Sequence, residues 1–279
     1  SLRNNQQHFE DDEEKYMVET TVTNQKPDNR QNTVELLGTY GSDETHALSA
    51  WTSTSRALTE KKRARIGKLI TSLSKDGHHT PFEKSSLHFL VTSDVASHIH
   101  MLKHRIGVNI NGESARYKEF KIDKFYVPGD FTPEEREKLT KHIEESFVKY
   151  HECIAGLEAR GVSRKRAKES ARFYLPYGIQ ITCDIMFNWR SFAHFQKLRN
   201  DGHAQVEIRE IADQMLALIK EQGDFPLTIS AFEESGYLPV KKKCCKFATG
   251  EAVKKVSNVK VIKTKKCKMC TCMPAEETK

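Results

Sequence analysis

The sequence predicts a mixed fold, α/β or α+β, in which a small sheet is flanked by long helices. Two observations predict it. Short apolar segments at residues 33–39 and 87–91 have the composition and spacing of strands. Longer segments, such as residues 139–157, repeat apolar side chains three and four residues apart, as amphipathic helices do. No run of about 18 apolar residues occurs, so the sequence excludes a transmembrane helix.

Between residues 33 and 105 the pattern predicts two strands and three helices. A helix is predicted where apolar residues recur three and four positions apart and so lie on one side. In the helix at 60–74 these residues are Ile66, Leu69, Ile70 and Leu73. In order, the elements are a strand at Thr33–Thr39, helices at Asp43–Ala57 and Glu60–Ser74, a break at Gly77–Pro81, a strand through Leu87, Phe89 and Val91, and a helix from Val95 to near Arg105.

Residues 132–220 are predicted to be mainly helical. Thr132 and Glu135 form a capping box with Pro133 at the first helical position, and an apolar stripe follows from Leu139 to Leu157. Further helices are predicted from Ser163 to just before Pro176 and from Ala204 to Lys220. Another helix is predicted between these two, and the segment Ile179–Arg190 leads into it.

The positive charge of the chain is concentrated near its C-terminal end. The whole sequence carries +7, but residues 240–279 alone contain 12 lysines and 3 glutamates. The other 239 residues hold 33 basic and 35 acidic side chains, so the basic pI says little about what the body of the chain does. We therefore predict a disordered polar head at 1–32, a folded body at 33–239 and a Lys- and Cys-rich tail at 240–279.

Seven cysteines and the absence of an apolar signal-peptide core at 1–32 predict reduced thiols and a cytoplasmic protein. Two interpretations of the tail remain open, a zinc site and a flexible cationic extension whose lysines keep it soluble. Non-specific attraction of nucleic acid to these lysines is a further alternative. In the body we expect no metal, because no carboxylate or cysteine completes a site with His100 and His104. The tail cysteines are Cys244, Cys245, Cys267, Cys270 and Cys272.

The polar segment 103–117 is the strongest candidate for a functional site. Lys103, His104 and Arg105 are followed by a Gly- and Asn-rich loop and then by Ser114 and Arg116. Such donors bind phosphate groups, although cations that complement a helix dipole at a solvated terminus are an equally good explanation from composition alone. The sequence has neither a Walker loop, nor a Gly-rich dinucleotide fingerprint, nor the elbow of a serine hydrolase.

Segment 103–117 resembles the signature of the flavin-dependent thymidylate synthases, in which Arg-His-Arg is followed by seven or eight residues and then Ser-x-Arg-Tyr. Three further segments resemble motifs of that family and come in the same order. They are residues 77–83 (GHHTPFE), residues 171–176 (ARFYLP), and residues 188–209 with Asn188-Trp189-Arg190, Leu198-Arg199 and His203-Ala204-Gln205-Val206-Glu207-Ile208-Arg209. The resemblance covers about residues 34–238.

The resemblance implies the family's fold, a homotetramer with shared sites, and the FAD-dependent methylation of dUMP to dTMP, with methylenetetrahydrofolate as carbon donor and NADPH as reductant. It implies that Arg199 is catalytic, because it binds the pyrimidine and helps to ionise it. The dUMP-binding positions are His100, Lys103, Gly112, Glu113, Ser114, Ala115, Arg116, Arg172 and Arg199. The FAD-binding positions are His78, Thr80, Lys103, His104, Arg105, Gly112, Asn188, Trp189, Arg190, His194 and His203. For Trp189, core packing is the favoured alternative to a flavin contact.

Four residues depart from the family pattern. Lys103 replaces an arginine, which keeps the charge but loses the planar guanidinium, and His100 stands where glutamine is usual. Gly112 occupies a commonly acidic position, and His194 an asparagine position. Two alternatives to thymidylate synthesis therefore remain: a dUMP hydroxymethylase, and a catalytically silent relative that binds nucleic acid or a protein partner through its tail.

Overall fold

The computed structural model describes residues 31–114, 116–122 and 124–240. In these ranges the chain forms a four-stranded antiparallel sheet with the strand order β1-β2-β4-β3. β4 is a central strand, since it pairs with β2 on one side and with β3 on the other. The strands are β1 (Thr33–Tyr40), β2 (Ser86–Asp94), β3 (Val108–Gly112) and β4 (Gln180–Phe187).

Helices pack against one face of this sheet. The longest, with 27 residues, begins at the predicted capping box, in which Thr132 and Glu135 bond reciprocally. The helices are α1 (Asp43–Trp51), α2 (Glu60–Arg63), α3 (Ile66–Lys75), α4 (Val95–Leu102), α5 (Pro133–Ala159), α6 (Arg164–Ala171), α7 (Trp189–Arg199), α8 (Val206–Gln222) and α9 (Pro226–Glu234).

The main core lies between the sheet and helices α3, α7, α8 and α9. Alternate residues of β2 and β4 face it, because side chains of a strand point to opposite faces in turn. Phe89 and Phe187 are fully buried there, and Phe192 of α7 packs against both rings. A second core joins α5 and α6, with Phe147, Tyr150 and Ala167 among its members. The predicted mixture of a small sheet and long helices is confirmed, and the antiparallel pairing places the fold in the α+β class.

The predicted loop after Arg105 is wrong for residues 108–112. These residues form β3, whose five positions pair with β4 from Phe187 back to Cys183. Glycine and asparagine have a low propensity for strands. Here the edge of β4 supplies hydrogen-bond partners for the backbone of these residues, and a local sequence pattern does not reveal such partners. The chain therefore passes from the cationic segment 103–105 to Ser114 along a strand and not through a loop.

Three predicted helices are shorter than expected. The helix predicted from Ser163 to just before Pro176 ends at Ala171 and is followed by a 3₁₀ turn at Arg172–Tyr174. The helix from Asp43 ends at Trp51, where the hydroxyls of Thr52, Ser53 and Thr54 donate to backbone carbonyls of the last turn. The predicted helix Glu60–Ser74 is split into α2 and α3, because the first four residues are charged and bury nothing against the core. Helix α9 was not predicted.

The border of the predicted head is better ordered than its composition indicates. Asn32 is buried, its amide nitrogen donates to Asp94 at 2.7 Å, and its amide oxygen accepts from the Asp94 backbone N–H at 2.9 Å. Residues 1–30 of the predicted head, and the tail from residue 241, lie outside the described residues. Within the described ranges, no helix is both long and apolar enough to cross a membrane.

Candidate functional site

Arg199 and His104 form the centre of a polar cluster between the end of α4 and helix α7. The Nε of Arg199 donates to Nε2 of His104 at 3.0 Å. His104 is buried, and its ring packs edge-on against Phe195 with the centroids 5.0 Å apart. His194 of the same helix lies 5.9 Å from the His104 ring. The structure therefore brings three of the sequence-predicted residues together.

The imidazole of His104 is neutral at physiological pH. Burial, together with the positive charges of Arg199 and His194, lowers its pKa to about 4. Since Nε2 accepts the hydrogen bond from Arg199, the single ring proton is on Nδ1. Among the described residues no carboxylate forms an ion pair with Arg199. The guanidinium is thus oriented by a neutral partner, and no described carboxylate compensates its charge.

The junction between β4 and α7 fixes Asn188 beside Gly107. The Asn188 side-chain oxygen accepts from the Ser191 backbone N–H at 2.8 Å and so caps α7. Gly107 has φ +68°, and a Cβ there would lie 2.5 Å from Asn188 Nδ2. Ser191 also donates from its hydroxyl to the Gly107 carbonyl at 2.7 Å. A glycine at 107 is therefore required both by its backbone conformation and by the close approach of Asn188.

Arg190, two residues after Asn188, points to the segment 77–83. Its guanidinium donates to Glu83 at 2.6 Å. Glu83 belongs to the motif at 77–83, but no local sequence pattern indicates its role, because its partner lies 107 residues away. Beside this ion pair, a cleft of about 730 Å³ is lined by Tyr40, Thr45, Ser49, Thr52, Arg56, Thr80, Glu83, Lys84, Ser85 and Ser86.

A second cluster, which contains Ser114, Arg116 and Arg172, lies at the other end of β3. The Ser114 hydroxyl accepts from the Arg116 backbone N–H at 3.3 Å. The Arg116 guanidinium donates to Glu169 of α6 at 2.6 Å, and Arg172 follows directly on the last residue of α6. Arg172 is exposed and forms no ion pair with another described residue. Ala115 is outside the described residues.

Glu113 anchors this second cluster to β4. Its carboxylate contacts the Nζ atoms of Lys118 and Lys124, and accepts from the Thr182 backbone N–H at 3.1 Å. Burial alone would raise its pKa, but the hydrogen bonds from Lys118 and Thr182 and the two lysine charges lower it. Glu113 is therefore ionised at neutral pH. Its neighbour Gly112 pairs with Cys183 at the end of β3.

The remaining sequence-predicted residues take varied positions. The Trp189 indole is fully buried against Phe192 and Phe225, which agrees with the packing role that the sequence favoured for it. His100 is half-buried, and its Nδ1 has no hydrogen-bond partner among the described residues. The exposed positions are His78, Thr80, Lys103, Arg105 and His203.

Within the described part of the chain, no group of three metal-ligating side chains is found. Burial raises the pKa of the Cys183 thiol to about 11, so it is not a thiolate at neutral pH. The tail cysteines, and with them the zinc alternative, fall outside the described residues.

A buried histidine network beside the cleft was missed by the sequence analysis. His46 is fully buried between Thr228 and Ser85, with 3.0 Å from Nδ1 to the Thr228 hydroxyl and 3.0 Å from Nε2 to the Ser85 hydroxyl. The Thr228 hydroxyl donates to Asp43 at 2.6 Å, so it accepts from Nδ1–H, and Ser85 donates to Nε2. This network joins helix α1, the residue directly before β2 and helix α9.

We expect this network to make the fold sensitive to acid. Burial lowers the His46 pKa to about 3, whereas an unfolded histidine titrates near 6.5, so stability is full above pH 6.5 and falls as the pH drops toward 3. Between pH 7 and pH 5, His46 alone should remove about 2 kcal/mol from the free energy of unfolding. Urea unfolding at both pH values should show this loss, and His46→Gln should show about 2 kcal/mol less of it. An equal pH-dependent loss in both proteins would contradict the assignment.

Comparison with known proteins gives a consistent result. A family model described as thymidylate synthase complementing protein matches residues 35–225. The chain is 29% identical over 248 residues to a flavin-dependent thymidylate synthase of Streptomyces avermitilis, and the match covers 79% of this chain and 98% of the relative. It is 30% identical over 219 residues to one of Kosmotoga olearia, with 73% and 91% of the two chains covered.

The fold is also similar to solved structures. The crystal structure of the UMP/dUMP methylase PolB from Streptomyces cacaoi bound with 5-Br dUMP aligns with a TM-score of 0.63 and 28% identity. The alignment covers 75% of this chain and 98% of that one. The same methylase bound with 5-Br UMP aligns with a TM-score of 0.60 and 27% identity.

Proposed function

Because the chain belongs to the thymidylate synthase complementing protein family, we propose that it methylates dUMP to dTMP with FAD as cofactor. Methylenetetrahydrofolate donates the carbon and NADPH is the reductant in this proposal. Its support is the naming of two relatives as flavin-dependent thymidylate synthases and of a structural neighbour as a UMP/dUMP methylase. The chain is an enzyme of the methyltransferase class.

The observation that carries the proposal is the uncompensated charge of Arg199. To accept a carbon at position 5, uracil must become nucleophilic, and negative charge grows on the ring. A preorganised cation that no carboxylate neutralises stabilises such charge strongly. Arg199 meets this requirement, because His104, which orients it, is neutral. In contrast, Arg190 is paired with Glu83 and Arg116 with Glu169.

The second cluster has the chemistry of a phosphate site. Arg116 and Arg172 present guanidinium groups, which bind phosphate oxygens bidentately, and Ser114 adds a hydroxyl. The position of Ser114 beside the Arg116 backbone N–H supports a binding role and gives it no base that could activate a nucleophile. We therefore assign the dUMP phosphate to these three residues.

The donor set around the first cluster fits a flavin dinucleotide. Lys103 and Arg105 are exposed cations without an ion pair among the described residues, and the neighbouring cleft offers Thr80, Arg56 and Lys84. The Nε2 of His79 is a buried ring nitrogen that lacks a partner in this part of the structure. FAD bound there would supply the hydride that completes the methyl group, while the protein residues orient it and balance the charge of its phosphates.

The separation of the two clusters supports a site shared between subunits. Thr182 of β4 lies beside the second cluster, and Asn188, which directly follows β4, lies beside the first. The two residues are six positions apart along an extended chain, which is about 20 Å at 3.4 Å per residue. A single nucleotide is shorter than this distance. We therefore propose the homotetramer, in which the second cluster of one subunit completes the first cluster of another. The exposed Ile106 and Phe173, 92% and 85% accessible, are apolar side chains that such contacts would cover.

Analysis of the reaction product tests the proposed activity. We expect full-length protein incubated with dUMP, methylenetetrahydrofolate and NADPH to form dTMP, detected by mass spectrometry. Omission of the folate is the control and should abolish the product. Formation of hydroxymethyl-dUMP would support the hydroxymethylase instead, and absence of any product from flavin-loaded protein would support a silent relative. UMP is tested in parallel, because the structural neighbour is named for both nucleotides.

The purified protein is expected to be yellow, with an oxidised-flavin absorption spectrum and one FAD per chain. Arg105→Ala should weaken FAD binding by about 10- to 100-fold, which corresponds to the loss of one charge-assisted contact. Equilibrium titration followed by flavin fluorescence measures this change. Arg160→Ala, an exposed arginine at the end of α5, is the control and should bind FAD normally. A colourless protein that takes up no added FAD would refute the cofactor assignment.

A further inference from the structure

Helix α6 lies against the segment that carries Ser114 and Arg116, and two neighbouring residues of the helix hold that segment. Lys168 is 9% exposed, and its Nζ donates to the Tyr117 carbonyl at 2.8 Å. Glu169 accepts from the Arg116 Nε at 2.6 Å. The two contacts join residues that are 51 and 53 positions apart in the sequence. They are therefore tertiary contacts between α6 and this segment, and not contacts within a helix.

The Lys168 contact restrains a backbone turn. Within this turn the N–H groups of Tyr117 and Lys118 both donate to the Ser114 carbonyl, at 3.0 Å and 2.9 Å. A buried ammonium group requires hydrogen-bond acceptors, and the Tyr117 carbonyl is one that the turn leaves free of described backbone donors. Loss of the ammonium group would leave that carbonyl unpaired and the turn less restrained.

The contact with Glu169 restrains the side chain of Arg116. An exposed arginine without a partner samples many rotamers. If a ligand has to order this side chain, the lost conformational entropy weakens binding. Glu169 also accepts from Arg166 at 3.4 Å, and its own side chain is only 20% exposed. Burial would raise the Glu169 pKa, but the two arginines lower it, so the carboxylate stays charged and holds Arg116 at neutral pH.

The same helix also places Arg172. Arg172 follows Ala171 at the end of α6, three residues after Glu169 and four after Lys168, which is about one helical turn. One rigid element thus sets both the position of Arg172 and the position of the Ser114–Arg116 turn. We propose that Lys168 and Glu169 are positioning residues that preorganise the dUMP phosphate site, an inference that rests on the proposed function.

The first test compares dUMP binding in single and double variants. Lys168→Met removes the donor and keeps the buried stem, and Glu169→Gln removes the charge and keeps the shape. Each should raise the KM for dUMP about 10-fold and leave kcat within about 2-fold, because the phosphate is held equally in the ground and transition states. In an Arg116→Ala background the effect of Glu169→Gln should nearly vanish. Lys168→Arg should keep most of the wild-type affinity, and Lys141→Met, at an exposed lysine of α5, is the control for the loss of one lysine charge.

The second test does not depend on the substrate. Hydrogen exchange of the Tyr117 and Lys118 amides should become at least about 10-fold faster in Lys168→Met, while exchange in the body of α6 stays unchanged. Faster exchange throughout α6 would indicate a purely structural role and overturn the proposal, as would additive effects of Glu169→Gln and Arg116→Ala. If wild-type protein binds no dUMP, the proposed function fails, and the exchange experiment still decides whether Lys168 holds the turn.

Discussion

Replacing Arg199 with alanine is expected to lower the turnover at saturating dUMP by about 100-fold or more, the effect of removing one preorganised donor from a charge-stabilising site. The physical reason is that its guanidinium carries a charge that no described carboxylate compensates, held toward the site by the neutral His104. Because the negative charge on the pyrimidine grows toward the transition state, the loss should appear in kcat more than in KM. Steady-state kinetics with varied dUMP measure both.

Two controls separate this effect from a loss of structure. Lys197→Ala removes an exposed cation from the same helix and should retain near-normal turnover. Reduction of the flavin by NADPH in the absence of dUMP should survive in Arg199→Ala, since the variant changes the pyrimidine environment. If Arg199→Ala keeps full turnover and only binds dUMP more weakly, the catalytic role of Arg199 is wrong.

Arg172→Ala is expected to raise the KM for dUMP by about 10- to 100-fold, with a small change in kcat. A hydrogen bond to a charged group contributes about 1.5–3 kcal/mol, and a phosphate contact is present equally in the ground and transition states. Arg172 forms no ion pair with another described residue, so its removal should leave no buried charge unpaired and little effect on stability.

The matched control for Arg172 is Arg160→Ala, which also removes one exposed guanidinium close to α6 and should leave the KM unchanged. Melting temperatures of both variants should lie close to that of the wild-type protein. A decrease in kcat with an unchanged KM would place Arg172 at the reacting ring and contradict its assignment to the phosphate.

Local sequence patterns were sufficient for the elements whose stability is local. The capping box at Thr132 and the apolar stripe after it predicted helix α5, because a helix bonds within itself and its caps lie within four residues. The alternation at Leu87, Phe89 and Val91 predicted strand β2, whose core-facing residues are all buried. The order and spacing of the polar motifs were also sufficient to predict the family that the comparison with known proteins confirms.

The sequence alone thus determined the helical and sheet character of the body, the family and the candidate residues. Only the tertiary structure decided that residues 108–112 form a strand, that His104 orients Arg199, and that Lys168 and Glu169 hold the turn at Ser114. Each of these depends on partners 51 to 95 residues apart, or on a strand edge supplied by a distant segment. Local propensity and periodicity report only on neighbours within about one turn, whereas the position and charge state of a site are set by side chains that folding brings together.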